Sequence, residues 1–218
     1  MKLGIIHTTH ETFHSLEKLA KERIPDLEVI NVPDETVLKN TLRGEPTVVG
    51  HDDWVSYAKE LEKQGVDVIL IASALVSEYL DDIKEQVQVP VYRIDGAMAE
   101  RAVEIGGSII VFGTLESSMN PTVDLIKKKA SEAGKDVQVE TVIIEGAHEA
   151  LQDSNKRLHD RLIIDVVDTY GQQSDLMVLA EAYMADSLYE ETHEHDKLLT
   201  SPYLAIAKIQ EDMNTGSV

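Results

Sequence analysis

Two apolar runs 108 positions apart constrain this chain more than any other feature. They are Val66-Asp67-Val68-Ile69-Leu70-Ile71-Ala72-Ser73-Ala74 and Ser174-Asp175-Leu176-Met177-Val178-Leu179-Ala180-Glu181-Ala182. Each closes on small residues and one polar side chain, Ser73 in the first and Glu181 in the second. An apolar run of this length between turn signals reads as a strand buried on both faces of a parallel sheet. The same shift carries His51-Asp52 onto His159-Asp160, Gln64 onto Gln172 and Asp67 onto Asp175. A shift near 106 carries Ile6-His7-Thr8 onto Phe112-Gly113-Thr114, a difference that one change of loop length explains. The chain therefore reads as two similar α/β halves, an internal duplication.

The alternation of elements agrees. Strands are expected over 2–7, 27–32, 66–72 and 89–94, with helices over about 10–23, 51–64 and 76–87 and a short helix and loop over 34–50. Thr8 and Glu11 fit a capping box for the first helix. The second half repeats the order. Helix 97–105, strand 108–113, a helix capped by Asn120 with Pro121 at its first position, and strand 137–144 come first. Helices 147–152 and 155–171 and strand 175–180 follow. Residues 186–200 are polar and acidic and read as a linker or lid, and Ser201-Pro202 opens a final helix over about 203–212. Strands alternating with helices at this spacing make parallel βαβ units.

Composition narrows the chemistry. The 218 residues carry a formal net charge of −20, which disfavours a phosphate-backbone partner. There is no cysteine, so disulfides, thiolate zinc sites and cysteine nucleophiles are excluded. No apolar run approaches the ~20 residues that span a bilayer. Met1-Lys2-Leu3-Gly4-Ile5-Ile6 enters a strand pattern with no signal-peptide layout, so a cytoplasmic location is expected.

In an open parallel sheet, ligands bind beyond the carboxyl ends of the strands. Thr8, Thr9, Ser73 and Ala74 fall there in the first half, and Thr114, Ser117, Ser118, Glu181 and Ala182 in the second. Two halves packed with those ends together would enclose one small pocket. Hydroxyls and helix N-terminal N–H groups would suit an anionic substrate, although capping uses the same groups. His7 ends the first strand and is a candidate acid–base residue; His148 and Tyr183 are candidate pocket residues. His51 and His159 repeat each other and read as packing residues, and His193-Glu194-His195 as a solvated stretch. His10-Glu11-Thr12-Phe13-His14 matches the HExxH zinc pattern literally, but directly after a first strand it reads as an exposed helix face. No metal site is assigned; His10 and His14 are only weak candidates.

Six segments together resemble the aspartate/glutamate/hydantoin racemase superfamily. They are Gly4-Ile5-Ile6-His7-Thr8-Thr9, Ile71-Ala72-Ser73-Ala74-Leu75-Val76-Ser77-Glu78, Arg93-Ile94-Asp95-Gly96-Ala97-Met98-Ala99, Gly113-Thr114-Leu115 with Asn120-Pro121-Thr122, Gly146-Ala147-His148-Glu149-Ala150-Leu151, and Val178-Leu179-Ala180-Glu181-Ala182-Tyr183-Met184-Ala185. The resemblance implies two pseudosymmetric, flavodoxin-like αβα domains, 1–94 plus 197–218 and 95–196, with the C-terminal helix returning to the first. It also implies a homodimer and cofactor-independent proton transfer between the domains. It implies a cysteine ending one strand in each half, at the positions of Ser73 and Glu181; some relatives keep only the first and carry glutamine at the second.

This chain has neither thiol. A thiol exchanges protons near neutral pH, whereas a serine hydroxyl needs strong activation. A buried glutamate can serve as a base. The expectation is therefore an asymmetric pair, with Glu181 as acid–base residue and Ser73 as hydrogen-bonding alcohol, acting on a small carboxylate or polyhydroxy substrate in a racemase-like isomerisation. A lyase or decarboxylase on the same scaffold, a metal-assisted isomerase using His10 and His14, and a non-catalytic small-molecule binder stand as alternatives.

Overall fold

The computed structural model describes residues 1–9, 11–34, 51–171, 174–188 and 197–216. The chain divides into two compact units, Met1–Ile94 with Pro202–Val218, and Asp95–Ser201.

In the first unit, β1 (Lys2–His7), β2 (Glu28–Pro33), β3 (Val68–Ala72) and β4 (Val91–Arg93) form one parallel sheet in the order β2-β1-β3-β4. The helices are α1 (Phe13–Arg23), α2 (His51–Lys63) and α3 (Leu80–Gln86), the last preceded by a 3-10 segment, Ala74–Tyr79. Successive residues of β1 point to opposite faces. Gly4 and Ile6 point toward α2. A Cβ on Gly4 would lie 2.8 Å from the Leu61 side chain, and Ile6 shares a buried cluster with Trp54, Ala58 and Leu61. Leu3 and Ile5, on the other face, are equally buried. Covered on both sides, the strand has no use for polar alternation, which is why the central strands read as continuous apolar runs.

The second unit holds α4 (Gly96–Ile105), β5 (Gly107–Gly113), α5 (Glu116–Glu132), β6 (Val137–Ile143), α6 (Ala147–Gln152), α7 (Lys156–Tyr170), β7 (Leu176–Leu179) and β8 (Leu198–Thr200). Its sheet is parallel in the order β6-β5-β7-β8. Ile110 and Phe112 pack with Ile163 and Val167 of α7; on the other face a Cβ at Gly113 would meet Met119 of α5 at 2.9 Å. The final helix, α8 (Ser201–Thr215), contributes to the first unit from Pro202 onward. There Tyr92 donates to Asp212 (2.8 Å), Gln210 donates to the Arg23 carbonyl (2.6 Å), and the Arg23 guanidinium lies 4.2 Å from the Tyr203 ring centroid.

The two sheets share order and register. Leu3 pairs with Val68 as Ile109 pairs with Leu176, and Ile69 pairs with Val91 as Met177 pairs with Leu198. The repeated aspartates do the same work. Asp67 accepts from the Lys2 amide (2.7 Å) and Asp175 from the Ser108 amide (3.1 Å), each holding the entry of the central strand.

Several sequence expectations are corrected. Residues 197–200, read as linker and as part of the first domain, run into β8, the counterpart of β4; three half-buried residues after an acidic stretch carry too little apolar signal to be seen. The helix capped at Asn120 instead starts at Glu116 and takes Pro121 as its sixth residue. Proline is tolerated there because it forgoes a single bond, to the carbonyl of the exposed Ser117. The Thr8–Glu11 capping box does not form: α1 starts at Phe13 behind Thr12. The helix expected from Val76 begins as a 3-10 segment. Most of the expected helix and loop over 34–50, Gln172 and His193-Glu194-His195 lie outside the described residues. Among the described residues, no helix is long and apolar enough to cross a membrane.

Phe112 is fully buried and packs edge-on to Tyr170 at 5.4 Å between ring centroids. Phe112→Ala is expected to destabilise the protein by about 3–5 kcal/mol in urea denaturation. Leu158→Ala, at a side chain 44% exposed, should change stability by no more than about 0.5 kcal/mol.

Candidate active site

Parallel pairing brings the expected site residues to the strand ends within each unit. His7 pairs with Ala72, so the next residues, Thr8 and Ser73, leave the first sheet side by side. Phe112 pairs with Leu179, so Thr114 and Glu181, two residues on, leave the second sheet the same way. Thr8, Ser73, Thr114 and Glu181 are all buried.

Side-chain length decides what each strand end does. Ser73 is short, and its Oγ accepts locally from the Leu75 amide at 3.2 Å, at the start of the 3-10 segment. Glu181 reaches across to the neighbouring loop. The Thr114 amide is shared between Glu181 Oε1 (3.0 Å) and Oε2 (3.1 Å); the Thr114 hydroxyl and the Leu115 amide also donate to Oε1, at 3.3 and 3.4 Å. With the Thr114 proton directed at Glu181, the Tyr183 phenol is the donor in the 2.9 Å contact with Thr114 Oγ1. Three donors from Thr114 and Leu115 thus converge on this carboxyl, and the Glu181 backbone amide adds a further hydrogen bond to it.

Glu181 is 7% exposed. Burial pushes its carboxyl up to about 7 from 4.5, against the opposing hydrogen bonds from Thr114 and Leu115. A carboxyl in that range exchanges protons at neutral pH, as acid or as base.

His7 has a different setting from the one the sequence suggested. It is fully buried, and its ring lies tilted against Phe13 with 4.2 Å between centroids. Its Nε2 meets Asn31 Oδ1 at 2.9 Å and its Nδ1 meets Thr12 Oγ1 at 3.0 Å. Asn31 Nδ2 donates to Glu17 Oε2 at 2.8 Å, which orients the amide and makes Oδ1 an acceptor. His7 therefore carries its proton on Nε2 and accepts from Thr12 on Nδ1. Both nitrogens are engaged, which ties β1, β2 and α1 together. Asn31 and Glu17 were not singled out from sequence. The available signal was a lone amide inside a valine–isoleucine strand.

The remaining candidates are spread over their units. Thr9 is half-buried and its hydroxyl accepts from the Glu11 amide at 3.3 Å; Ala74 is half-buried. Ser117 is exposed and Ser118 half-buried, both in the first turn of α5. His148, at the start of α6, buries Nδ1 without a hydrogen bond; burial pushes its imidazole down, and Glu149 opposes that shift. His159 is buried, as the packing interpretation expects: Nδ1 meets Asp160 Oδ1 at 3.0 Å and the ring lies 5.7 Å from Tyr183. His14 is exposed on α1 and His10 lies outside the described residues. Among the described residues, no three His, Cys, Asp or Glu side chains gather as metal ligands would.

The family model for Asp/Glu/Hydantoin racemase matches residues 3–208. The Picrophilus torridus aspartate racemase superposes with a TM-score of 0.71 at 16% identity, covering 98% of this chain and 94% of that one. Glutamate racemase from Francisella tularensis, in complex with D-glutamate, gives 0.69 at 13% identity, covering 99% and 81%. Allantoin racemase from Klebsiella pneumoniae gives 0.66 at 17%, covering 99% and 89%. At such identities the likeness is one of fold. No curated protein matches the chain in sequence.

The raised Glu181 carboxyl has a thermodynamic consequence. Between pH 4.5 and about 7 the folded protein keeps a proton that the unfolded chain has lost. Stability therefore falls as pH rises through that window. The loss from this group should reach about 3 kcal/mol by pH 8. Urea denaturation at pH 5 and pH 8 checks it: the drop shared by both proteins cancels, and the excess drop in wild type over Glu181→Gln should be of that size.

Proposed function

The chain belongs to the Asp/Glu/Hydantoin racemase family, and we propose that it is a racemase-like isomerase that moves a carbon-bound proton without a cofactor. The proposal assigns Glu181 as the acid–base residue, its carboxylate taking and returning the proton. Ser73, at the matching strand end of the first unit, is assigned as the hydroxyl partner on the same substrate, a small carboxylate or polyhydroxy molecule. The observation that carries the reading is the buried Glu181 carboxyl on the Thr114 and Leu115 amides, pushed up to about 7, at the position where the resemblance implies a thiol.

One base does not serve both faces of a carbon. Racemisation through two faces needs a second group that can lose and gain a proton at pH 7, and a serine hydroxyl is far too weak an acid for that. His7 is not assigned the task, because both of its ring nitrogens are engaged by Asn31 and Thr12. A single-base isomerisation fits this set: Glu181 removes the proton, the substrate forms an enolate, and the same carboxylic acid returns the proton to that enolate at a neighbouring atom. The same asymmetry also favours a second reading, a lyase or decarboxylase in which Glu181 protonates the carbanion left by bond cleavage. Product mass separates the two. Residues 1–94 with the C-terminal helix and residues 95–196 with β8 are taken as the two domains that supply the pair.

The test is exchange of a substrate C–H for deuterium in D2O, followed by NMR across small acids, amides and polyols. Wild type is expected to wash in deuterium, with kcat/KM rising through about pH 7 as Glu181 ionises. Glu181→Gln should lower the rate by about 10²–10⁴-fold, and Ser73→Ala by less. Exchange that survives Glu181→Gln unchanged would sink the assignment.

A further inference from the structure

We propose that Asp160 and His159 of α7 are positioning residues for Glu181: they hold Tyr183 against Thr114 and so keep the Thr114 hydroxyl donating to the carboxylate. The inference rests on the isomerase reading and deepens it.

A connected set of contacts is the first observation. The 3-10 segment Ala182–Leu188 begins directly after Glu181. Asp160 acts on both ends of it. Its Oδ1 accepts from the buried Ser187 hydroxyl at 2.8 Å and meets His159 Nδ1 at 3.0 Å, and Lys156 donates to Oδ2. The His159 ring lies beside the Tyr183 ring, with 5.7 Å between centroids. Tyr183 then meets Thr114 Oγ1 at 2.9 Å, and the Thr114 hydroxyl donates to Glu181. Burial alone would raise the Asp160 carboxyl. The hydrogen bonds from Lys156, His159 and Ser187 outweigh it and hold the group below the usual carboxylate range. Asp160 is therefore an acceptor at neutral pH, and His159 carries its proton on Nδ1.

The second observation is what this histidine costs. Its ring is 2% exposed, and Nε2 is buried without a hydrogen bond. An unpaired buried nitrogen is unfavourable, and a leucine or phenylalanine would fill the same space without one. What the imidazole adds is a single directed donor, Nδ1–H, which pins the ring beside Tyr183 to Asp160. Packing alone does not need that donor; fixing the place of one ring does. Met184 and Leu188 of the same segment share the core with Ile163 and Val167, so the segment keeps its seat without Asp160. The polar contacts set the orientation of Tyr183.

Carbon-13 NMR titration of the Glu181 side-chain carboxyl tests this on the full-length protein without any substrate. Glutamate is labelled, and Glu181→Gln identifies the signal. The wild-type midpoint is expected at about 7. Asp160→Asn should raise it by about one pH unit, because the Thr114 hydroxyl bond that lowers it is lost. His159→Phe keeps a ring beside Tyr183, drops only the bond to Asp160, and should act in the same direction. It decides alone should Asp160→Asn not fold. Thr114→Val should match Asp160→Asn, and either change added to Thr114→Val should raise the midpoint no further. A midpoint unmoved or lowered in a folded variant overturns the inference, as does a rise that persists in the Thr114→Val background. Deuterium exchange by the same proteins keeps the two claims apart. Raised midpoints without exchange on any substrate overturn the isomerase reading alone; Glu181-dependent exchange with unmoved midpoints overturns the positioning role alone.

Discussion

A buried carboxylate needs donors, and the strand ends of the second unit are organised by where Glu181 finds them. The strand that carries it ends beside β5, so the nearest unpaired donors are the Thr114 and Leu115 amides at the start of α5. That contact costs the loop its free donors and gives the protein a carboxyl poised near neutrality. Desolvation favours the protonated form, the amides favour the ionised one, and desolvation wins without winning completely. A glutamate in water would be ionised at all relevant pH, and one in a wholly apolar site would stay protonated. The loop places it between those limits, which an acid–base residue at pH 7 needs.

The same logic separates the two halves. Ser73 and Glu181 occupy corresponding positions in sheets of the same order and register. The serine oxygen is too close to its own backbone to reach the adjacent loop and settles on Leu75 two residues on. The glutamate, longer by a methylene and a carboxyl carbon, crosses to Thr114. A difference in side-chain length at one strand end thus becomes a difference in chemical capability, with no change of backbone design.

Much of this was legible in the chain itself. The central strands announced themselves because both faces are covered, and the 108-residue recurrence of Asp67 at Asp175 marked a contact that both halves make with the amide opening the central strand. That Glu181 and Thr114 lie at neighbouring strand ends was legible because parallel topology sends strand ends to one edge. What escaped was governed by tertiary context. β8 is three residues long, too short to show a period, so its pairing with β7 defines it. The early start of α5 overrides a proline that local rules place at the first position. Thr12, Asn31 and Glu17 are remote in sequence from any recognisable motif, yet they decide that His7 braces the first unit. That Thr114 donates to the Glu181 side chain depends on rotamers that no sequence pattern records.

The shared register gives the molecule an internal reference copy. At each strand end, one half displays what the backbone does with a short hydroxyl and the other what it does with a long carboxylate, in the same solvent and on the same protein. Effects that come from the sheet itself should appear at both ends, and effects that belong to the chemistry at only one. A change made at Ser73 therefore calibrates the equivalent change at Glu181, and the first half serves as the control experiment that the fold carries within itself.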